Sequence, residues 1–271
     1  MCDDCLYARS MTDENERIAK RIARAGLASR RDAEKLIAAG RVAVNGKLVD
    51  TPATKVGASD RIQVDGKPLP EAERARLWRY HKPAGLVTTA RDEKGRRTIF
   101  DALPDDLPRV MSVGRLDLNS EGLLLLTNDG GLKRKLELPS TGWLRKYRVR
   151  VKGAPDDAGL KKLSGGITVD GERFRAMDVT LDRTQGANAW LTIGLREGKN
   201  REIRRAMEHI GLEVNRLIRI SYGPFQLLDL QRGSVEEIRA SVIRDQIGEG
   251  EAASKSKPAK ARVVRRRPRK G

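Results

Sequence analysis

Apolar and polar positions alternate with two different periods along this chain, and the change between them divides its first seventy residues. From Arg17 to Arg24 the spacing is helical, with Ile18 and Ile22 on one face and Arg17, Arg21 and Arg24 on another. Gly26 supplies a stop. Ser29 then caps a second predicted helix, Arg30 to Ala38, which turns Ala33, Leu36 and Ile37 inward. After Gly40 the period becomes two: Val42 and Val44 alternate before Asn45-Gly46, the residue pair best suited to a tight hairpin. Asp65-Gly66 marks a second such turn after Ile62 and Val64. The expectation is a small helix-helix-hairpin module over residues 16–70. The polar run from Pro70 to Arg76 lacks alternation and places a linker at residues 71–76.

A larger domain is expected over residues 77–247. Strands are predicted at Leu77–Tyr80, Leu86–Thr89, Leu123–Thr127, Tyr147–Val151, Ala189–Leu195 and Leu217–Ser221. Helices are predicted at Thr98–Leu103, Gly131–Leu138, Asp156–Leu163, Asn200–Ile210 and Val235–Asp245. Short strands separated unevenly by helices point to an α+β fold with a mixed sheet, rather than regular βαβ winding.

Composition adds a partner. The net charge is +18, with 34% charged and only 4% aromatic residues, and so basic a chain points to a polyanion, usually nucleic acid. The nine Lys and Arg after Glu251, set against Glu251 itself, explain +8 of this, so +10 remains on the rest. Residues 248–271, rich in Ala, Ser, Lys, Arg and Pro, are too polar to bury a core and read as a disordered basic grip on RNA. Residues 1–15 read as a disordered extension, and Met11 is an equally natural start. Cys2 and Cys5 form a lone C-x-x-C; His81 and His209 stand apart, so half of a zinc ligand set is missing and no metal is expected. No signal peptide and no apolar run long enough to span a bilayer is visible, which suggests a cytoplasmic protein with reduced thiols.

Candidate chemistry concentrates in "GRLDLNSEGLLLLTNDG", residues 114–130, a polar loop closing onto an apolar strand. Asp117 sits in that loop between Leu116 and Leu118, beside Arg115. A loop carboxylate next to a buried strand suits a reacting group, and equally an Asp that hydrogen-bonds its own turn. Local spacing alone favours the second reading.

The segment "ERIAKRIARAGLASRRDAEKLIAAGRVAVNGKLV" closely resembles the S4 RNA-binding domain, and "SRRDAEKLIAAGRVAVNG" is its most specific part. By matching positions, Arg17, Lys20, Ser29, Arg30, Arg41 and Asn45 would line an RNA-facing surface, where Lys and Arg neutralise phosphates without reading sequence. "GRLDLNSEGLLLLTNDG" is similar to the signature of the bacterial ribosomal pseudouridine synthases, type A of the small ribosomal subunit, and types B, E and F of the large one. It follows "YHKPAGLVTT" and precedes "EGKNREIRRAMEHIG" and "RLIRISYG", in that family's order. The resemblance spans roughly residues 16 to 245, and "GRRTIFDALP" leans toward type B.

The resemblance implies an S4-type domain followed by a catalytic domain with a mixed, largely antiparallel sheet flanked by helices. It implies an isomerase that breaks the C–N glycosidic bond of a flipped-out uridine, rotates the uracil and rejoins C5 to C1′, with no cofactor. Asp117 would be the nucleophile, Arg204 the cation that keeps it ionised, and Tyr147 the platform for the base. Leu217 would floor the pocket and Arg115 would contact a phosphate. Lys82-Pro83 before Gly85 reads as a structural turn. The implied substrate is ribosomal RNA, either 23S RNA or an assembling large particle, modified by a monomer. Type A enzymes would share the chemistry and differ in target, the 16S RNA. A non-catalytic assembly factor would be favoured by loss of Asp117 or Tyr147, and both are present.

Overall fold

A computed structural model describes residues 15–247, which divide into two compact units, one ending at Arg74 and the other starting at Ala75. Cys2, Cys5, Met11 and the basic segment 248–271 lie outside the described residues.

The first unit runs β1 (Glu16–Arg17), α1 (Ile18–Arg24), α2 (Arg30–Ala38), β2 (Val42–Val44), β3 (Lys47–Leu48), β4 (Lys55–Val56), β5 (Ile62–Val64) and β6 (Lys67–Pro68). Ile18, Ile22, Ala33, Ile37, Val42, Val56, Ile62 and Val64 form its core. The Ser29 side chain accepts from the Asp32 N–H at 3.0 Å, which caps α2 as its sequence predicts. Asn45-Gly46 and Asp65-Gly66 both take positive φ at each residue, the geometry that lets two-residue hairpins follow the twist of their strands.

The second unit is built on one mixed sheet. Its elements are β7 (Leu77–Lys82), β8 (Met111–Val113), β9 (Ser120–Thr127), α3 (Gly130–Glu137), β10 (Arg145–Lys152), α4 (Asp157–Gly165), β11 (Thr168–Val169), β12 (Glu172–Arg173), β13 (Asp178–Gln185), β14 (Asn188–Leu195), α5 (Glu202–His209), β15 (Glu213–Tyr222), β16 (Phe225–Gln226), β17 (Val235–Glu237) and α6 (Ala240–Ile247). The order along the sheet is β13-β14-β10-β15-β9-β7-β17, with β8 beside β9 and β16 beside β15. Its pairs are antiparallel except β9 with β15, which run parallel in the register Leu217 to Ser120 and Arg219 to Gly122. That pair needs Gly122: at φ +103° a Cβ there would meet the Arg219 carbonyl oxygen at 2.3 Å.

β9 is buried at every position because the sheet is covered on both faces there. Leu124 and Leu126 join the core that contains Val149, Leu191 and Met207, while Leu123 and Leu125 join Leu132, Leu136 and Ile243 on the opposite face. A strand buried on both faces reads as a continuous apolar run, as "GLLLL" does.

Several elements differ from expectation. Leu86–Thr89 is not a strand; its strand-type pairing is a single isolated bridge between Val87 and Thr98. Thr98–Leu103 tightens to a 3-10 turn at Phe100–Ala102. Val235–Asp245 splits, because Val235–Glu237 pairs with β7 before α6 begins. β13 escapes the periodicity because seven of its eight residues are exposed, leaving no buried face to mark it.

Candidate active site

Asp117 lies half-buried in the turn that joins β8 to β9, and its own carbonyl closes that turn by accepting from the Ser120 N–H at 3.0 Å. Three groups from the segment 82–88 hold the loop from below. The Gly85 N–H donates to the Leu118 carbonyl at 2.8 Å, and the Thr88 hydroxyl donates to that of Leu116 at 2.8 Å. The Lys82 ammonium, fully buried, donates to the carbonyls of Asp117 (3.1 Å), Pro83 (3.1 Å), Leu118 (3.4 Å) and Ser120 (2.8 Å). Burial pulls this ammonium down to about 8, while the Asp117 and Glu121 carboxylates work to keep it charged. The turn expected at Lys82-Pro83 is therefore a cation-centred support for the Asp117 loop.

Above the loop opens a cleft of about 1480 Å³. Asp117, Tyr147, Leu217 and Arg115 all line it, so the chain brings these four expected residues together. Tyr147 comes from β10, nearly buried, opposite Ile193 on β14 and Arg219 on β15. Leu217 comes from β15 beside Ser120, so the parallel pair sets it next to the Asp117 loop. Arg115 is exposed at the rim.

Arg204 is not in direct ion pairing with Asp117. Its guanidinium donates to the carbonyls of Val214 (2.9 Å) and Asn119 (3.1 Å), clamping the end of the same loop to the start of β15. Burial and the neighbouring Arg201 lower it from its ordinary value, and the Asp117 charge opposes them. Asp117 is thus flanked by two half-buried or buried cations, Arg204 and Lys82, each bonded to the backbone of its loop.

Two further groups in the cleft carried no signal in the sequence. Arg219, nearly buried, donates to the Leu123 carbonyl at 2.7 Å and lies 5.2 Å from the Tyr222 ring centre. In "RLIRISYG" it is one of two arginines, and only the strand register turns it inward. Glu202 opens α5 and accepts from the Lys199 N–H at 3.0 Å. Burial, with Glu197 beside it, pushes the Glu202 carboxyl up to about 8. Glu197 moves down despite burial, because the Arg175 N–H donates to it.

In the first unit Arg17, Lys20, Arg30, Arg41 and Asn45 are exposed, and Ser29 is half-buried in its capping role. Arg41 makes a bidentate pair with Asp65 (both contacts 2.6 Å), and Asn45 bridges Asp60 and the Arg61 N–H. Lys20 faces Glu16 at 3.3 Å. Arg17 and Arg30 make no ion pair among the described residues. Among those residues no cluster of His, Cys, Asp or Glu could hold a metal, and no helix is long and apolar enough to cross a membrane.

Comparison with known proteins agrees with this architecture. Residues 76–209 match the RNA pseudouridylate synthase family and residues 16–62 match the S4 domain. An RNA pseudouridine synthase of Rickettsia felis is 47% identical over 228 residues, covering 84% of this chain and 99% of its own. The ribosomal large subunit pseudouridine synthase B of Haemophilus influenzae is 40% identical over 245 residues, covering 87% of this chain and 69% of its own. A crystal structure of a pseudouridylate synthase superposes with a TM-score of 0.61 at 24% identity, over 85% of this chain and 99% of that one, which speaks for the fold. With an S4 domain ahead of a sheet that carries its aspartate loop into an open cleft, this chain belongs to the RNA pseudouridine synthase family.

Proposed function

We propose that this enzyme converts one uridine of 23S ribosomal RNA to pseudouridine, with Asp117 as the nucleophile. The observation that carries the reading is the meeting of Asp117, Tyr147 and Leu217 in one cleft from three separate strands and loops. A relative 40% identical is named for the large ribosomal subunit, which favours 23S over 16S RNA.

The target uridine leaves its stack and enters the cleft, with the uracil face on Tyr147 and Leu217 as the apolar floor. The Asp117 carboxylate attacks the nucleotide and the N1–C1′ bond breaks. The uracil turns, C5 bonds to C1′, the bond between Asp117 and the nucleotide breaks to return the free carboxylate, the hydrogen on C5 leaves and N1 takes up a proton, so the atoms balance without any added reactant. Tyr147 is positioned to assist the proton transfer at C5. Arg204 and Lys82 hold the loop backbone and keep positive charge near the Asp117 carboxylate. Arg115 at the rim contacts a phosphate beside the flipped nucleotide.

Residues 16–70 serve as the RNA-docking module, with Arg17 and Arg30 among the exposed cations that meet phosphate. Residues 71–76 link it to the catalytic domain, residues 77–247. A monomer acting in the cytoplasm on free 23S RNA or on an assembling particle completes the reading. Mapping pseudouridine in ribosomal RNA from cells with and without this protein tests it. One 23S site should lose its modification; an unchanged 23S map refutes the assignment.

A further inference from the structure

β10 is an inner strand, hydrogen-bonded to β14 on one side and β15 on the other. One of its faces turns Tyr147, Val149 and Val151 toward the cleft and core. The other turns Lys146, Arg148, Arg150 and Lys152 outward, and all four are exposed. The apolar layer that covers the back of β9 draws on α3 and α6 and does not reach these positions. Side chains two residues apart on a strand lie about 6.8 Å from each other, so the four cations form a row of about 20 Å.

The row has little neutralising company. Asp182 approaches Arg148 at 3.8 Å, and Arg148 lies over the Trp190 ring at 5.0 Å. Lys146, Arg150 and Lys152 make no ion pair among the described residues. Their neighbours are the uncharged Gly194, Trp190 and Asn188 across β14, and Ser221, Arg216 and Glu213 across β15, so a carboxylate stands in register with Lys152 alone among these three. Like charges aligned on one sheet face repel and lower stability. The catalytic face of the strand does not require them, since alternation places them on the opposite side from Tyr147.

We infer that this open sheet face is a second RNA-binding surface, which follows the phosphate backbone of the substrate outside the cleft. Charge complementarity selects the occupant: a row of four cations, three of them without an ion pair among the described residues, fits a polyanion whose charges repeat along a line. The basic segment 248–271 has the same sign as the row and cannot complement it. Trp190, capped by Arg148, gives the centre of the row a flat element against which an unpaired base can rest. The inference rests on RNA being the substrate and adds a face that the reaction itself does not use.

The test compares the full chain with its Lys146→Gln/Arg150→Gln/Lys152→Gln variant. Two probes are used, a 23S ribosomal RNA transcript and an RNA duplex with no unpaired uridine. Binding is measured across salt concentrations. The variant should bind both probes about tenfold more weakly at physiological salt, with a slope of log affinity against log salt shallower by about 2–3. Turnover at saturating transcript should be unchanged. A photoreactive residue at position 150 alone should cross-link to the duplex, which keeps the claim testable if the triple variant folds poorly. Unchanged affinity and slope, or no cross-link, overturns the inference. Weakened binding to polyglutamate with RNA binding intact would assign the face to an acidic protein and overturn it as well. The duplex measurement involves no catalysis, so its outcome is independent of whether the proposed reaction occurs.

Discussion

The buried ammonium of Lys82 donates to the main-chain carbonyl of Asp117 at 3.1 Å, the central contact in a set of four carbonyls that it gathers. The backbone at Asp117 is therefore fixed by a charge beneath it, and the carboxylate that we propose as the nucleophile lines the cleft. Replacing Lys82 by Met would take the buried donor away from all four carbonyls, leaving Leu118 with only the Gly85 N–H and Asp117 with only the Ser120 N–H of the donors described above. We expect a loss of roughly 2–4 kcal/mol in urea unfolding. Turnover should fall further than the unfolded fraction explains, because the loop loses its anchor. Activity that tracks the folded fraction alone would refute the positioning role.

Asp117→Asn keeps the shape of the side chain and removes its charge. Pseudouridine formation should be abolished while RNA affinity survives, since the docking module and the cleft cations are untouched. Residual turnover near that of the parent, measured by tritium release from C5-labelled uridine, would refute the nucleophile assignment.

Gly122→Ala puts a methyl group onto the Arg219 carbonyl oxygen at 2.3 Å and holds a residue with a side chain at φ +103°. Strain and the forced separation of β9 from β15 should cost roughly 2–4 kcal/mol. The same separation moves Leu217 away from Asp117, so kcat should drop even in the protein that remains folded. Thermal melting and single-turnover rates read the two effects separately.

Glu202 gives a pH dependence of stability. Its carboxyl is raised to about 8 in the folded chain, above the ordinary value of 4.5, so between those pH values the folded state holds a proton that the unfolded state has released. Its contribution is therefore fully present below pH 4.5 and is lost as pH rises through about 8. Glu202→Gln should flatten that decline and raise the melting temperature relative to the parent at pH 8. Parallel melting curves for the two proteins from pH 5 to 9 would contradict it.

Removing residues 1–70 should weaken RNA binding more than it slows the chemical step, with a shallower salt slope as phosphate contacts are lost. Filter binding across salt concentrations, set beside single-turnover rates at saturating RNA, separates the two. An affinity that does not change at any salt concentration would argue against docking by the module.

The sequence made some of this plain and concealed the rest for identifiable reasons. Ser29, Asn45-Gly46 and the apolar run at Leu123–Leu126 act through local rules of capping, turn geometry and burial, so residue type alone announces them. Asp117 does not announce itself locally; the long motif around it does. Lys82 was legible only as a turn, because its role depends on carbonyls about thirty-five residues away that come within reach when β7 pairs with β9. Arg204 was expected to meet a carboxylate and instead clamps two carbonyls, since helix spacing gives the side chain's direction but not its acceptor. Arg219 and Glu202 depend on strand register and burial, neither of which is written in residue type.

The parallel pairing of β9 with β15 has a consequence for how the protein is made. Ser120 and Leu217 are almost a hundred residues apart, and the strands between them must exist before that pair can close. During synthesis the docking module emerges ahead of the catalytic domain with all of its local contacts, whereas the catalytic cleft waits for β15. A nascent chain can thus hold RNA before it can modify it. Because so late a strand completes the cleft, premature termination after β14 should yield an RNA binder without activity rather than a weak enzyme.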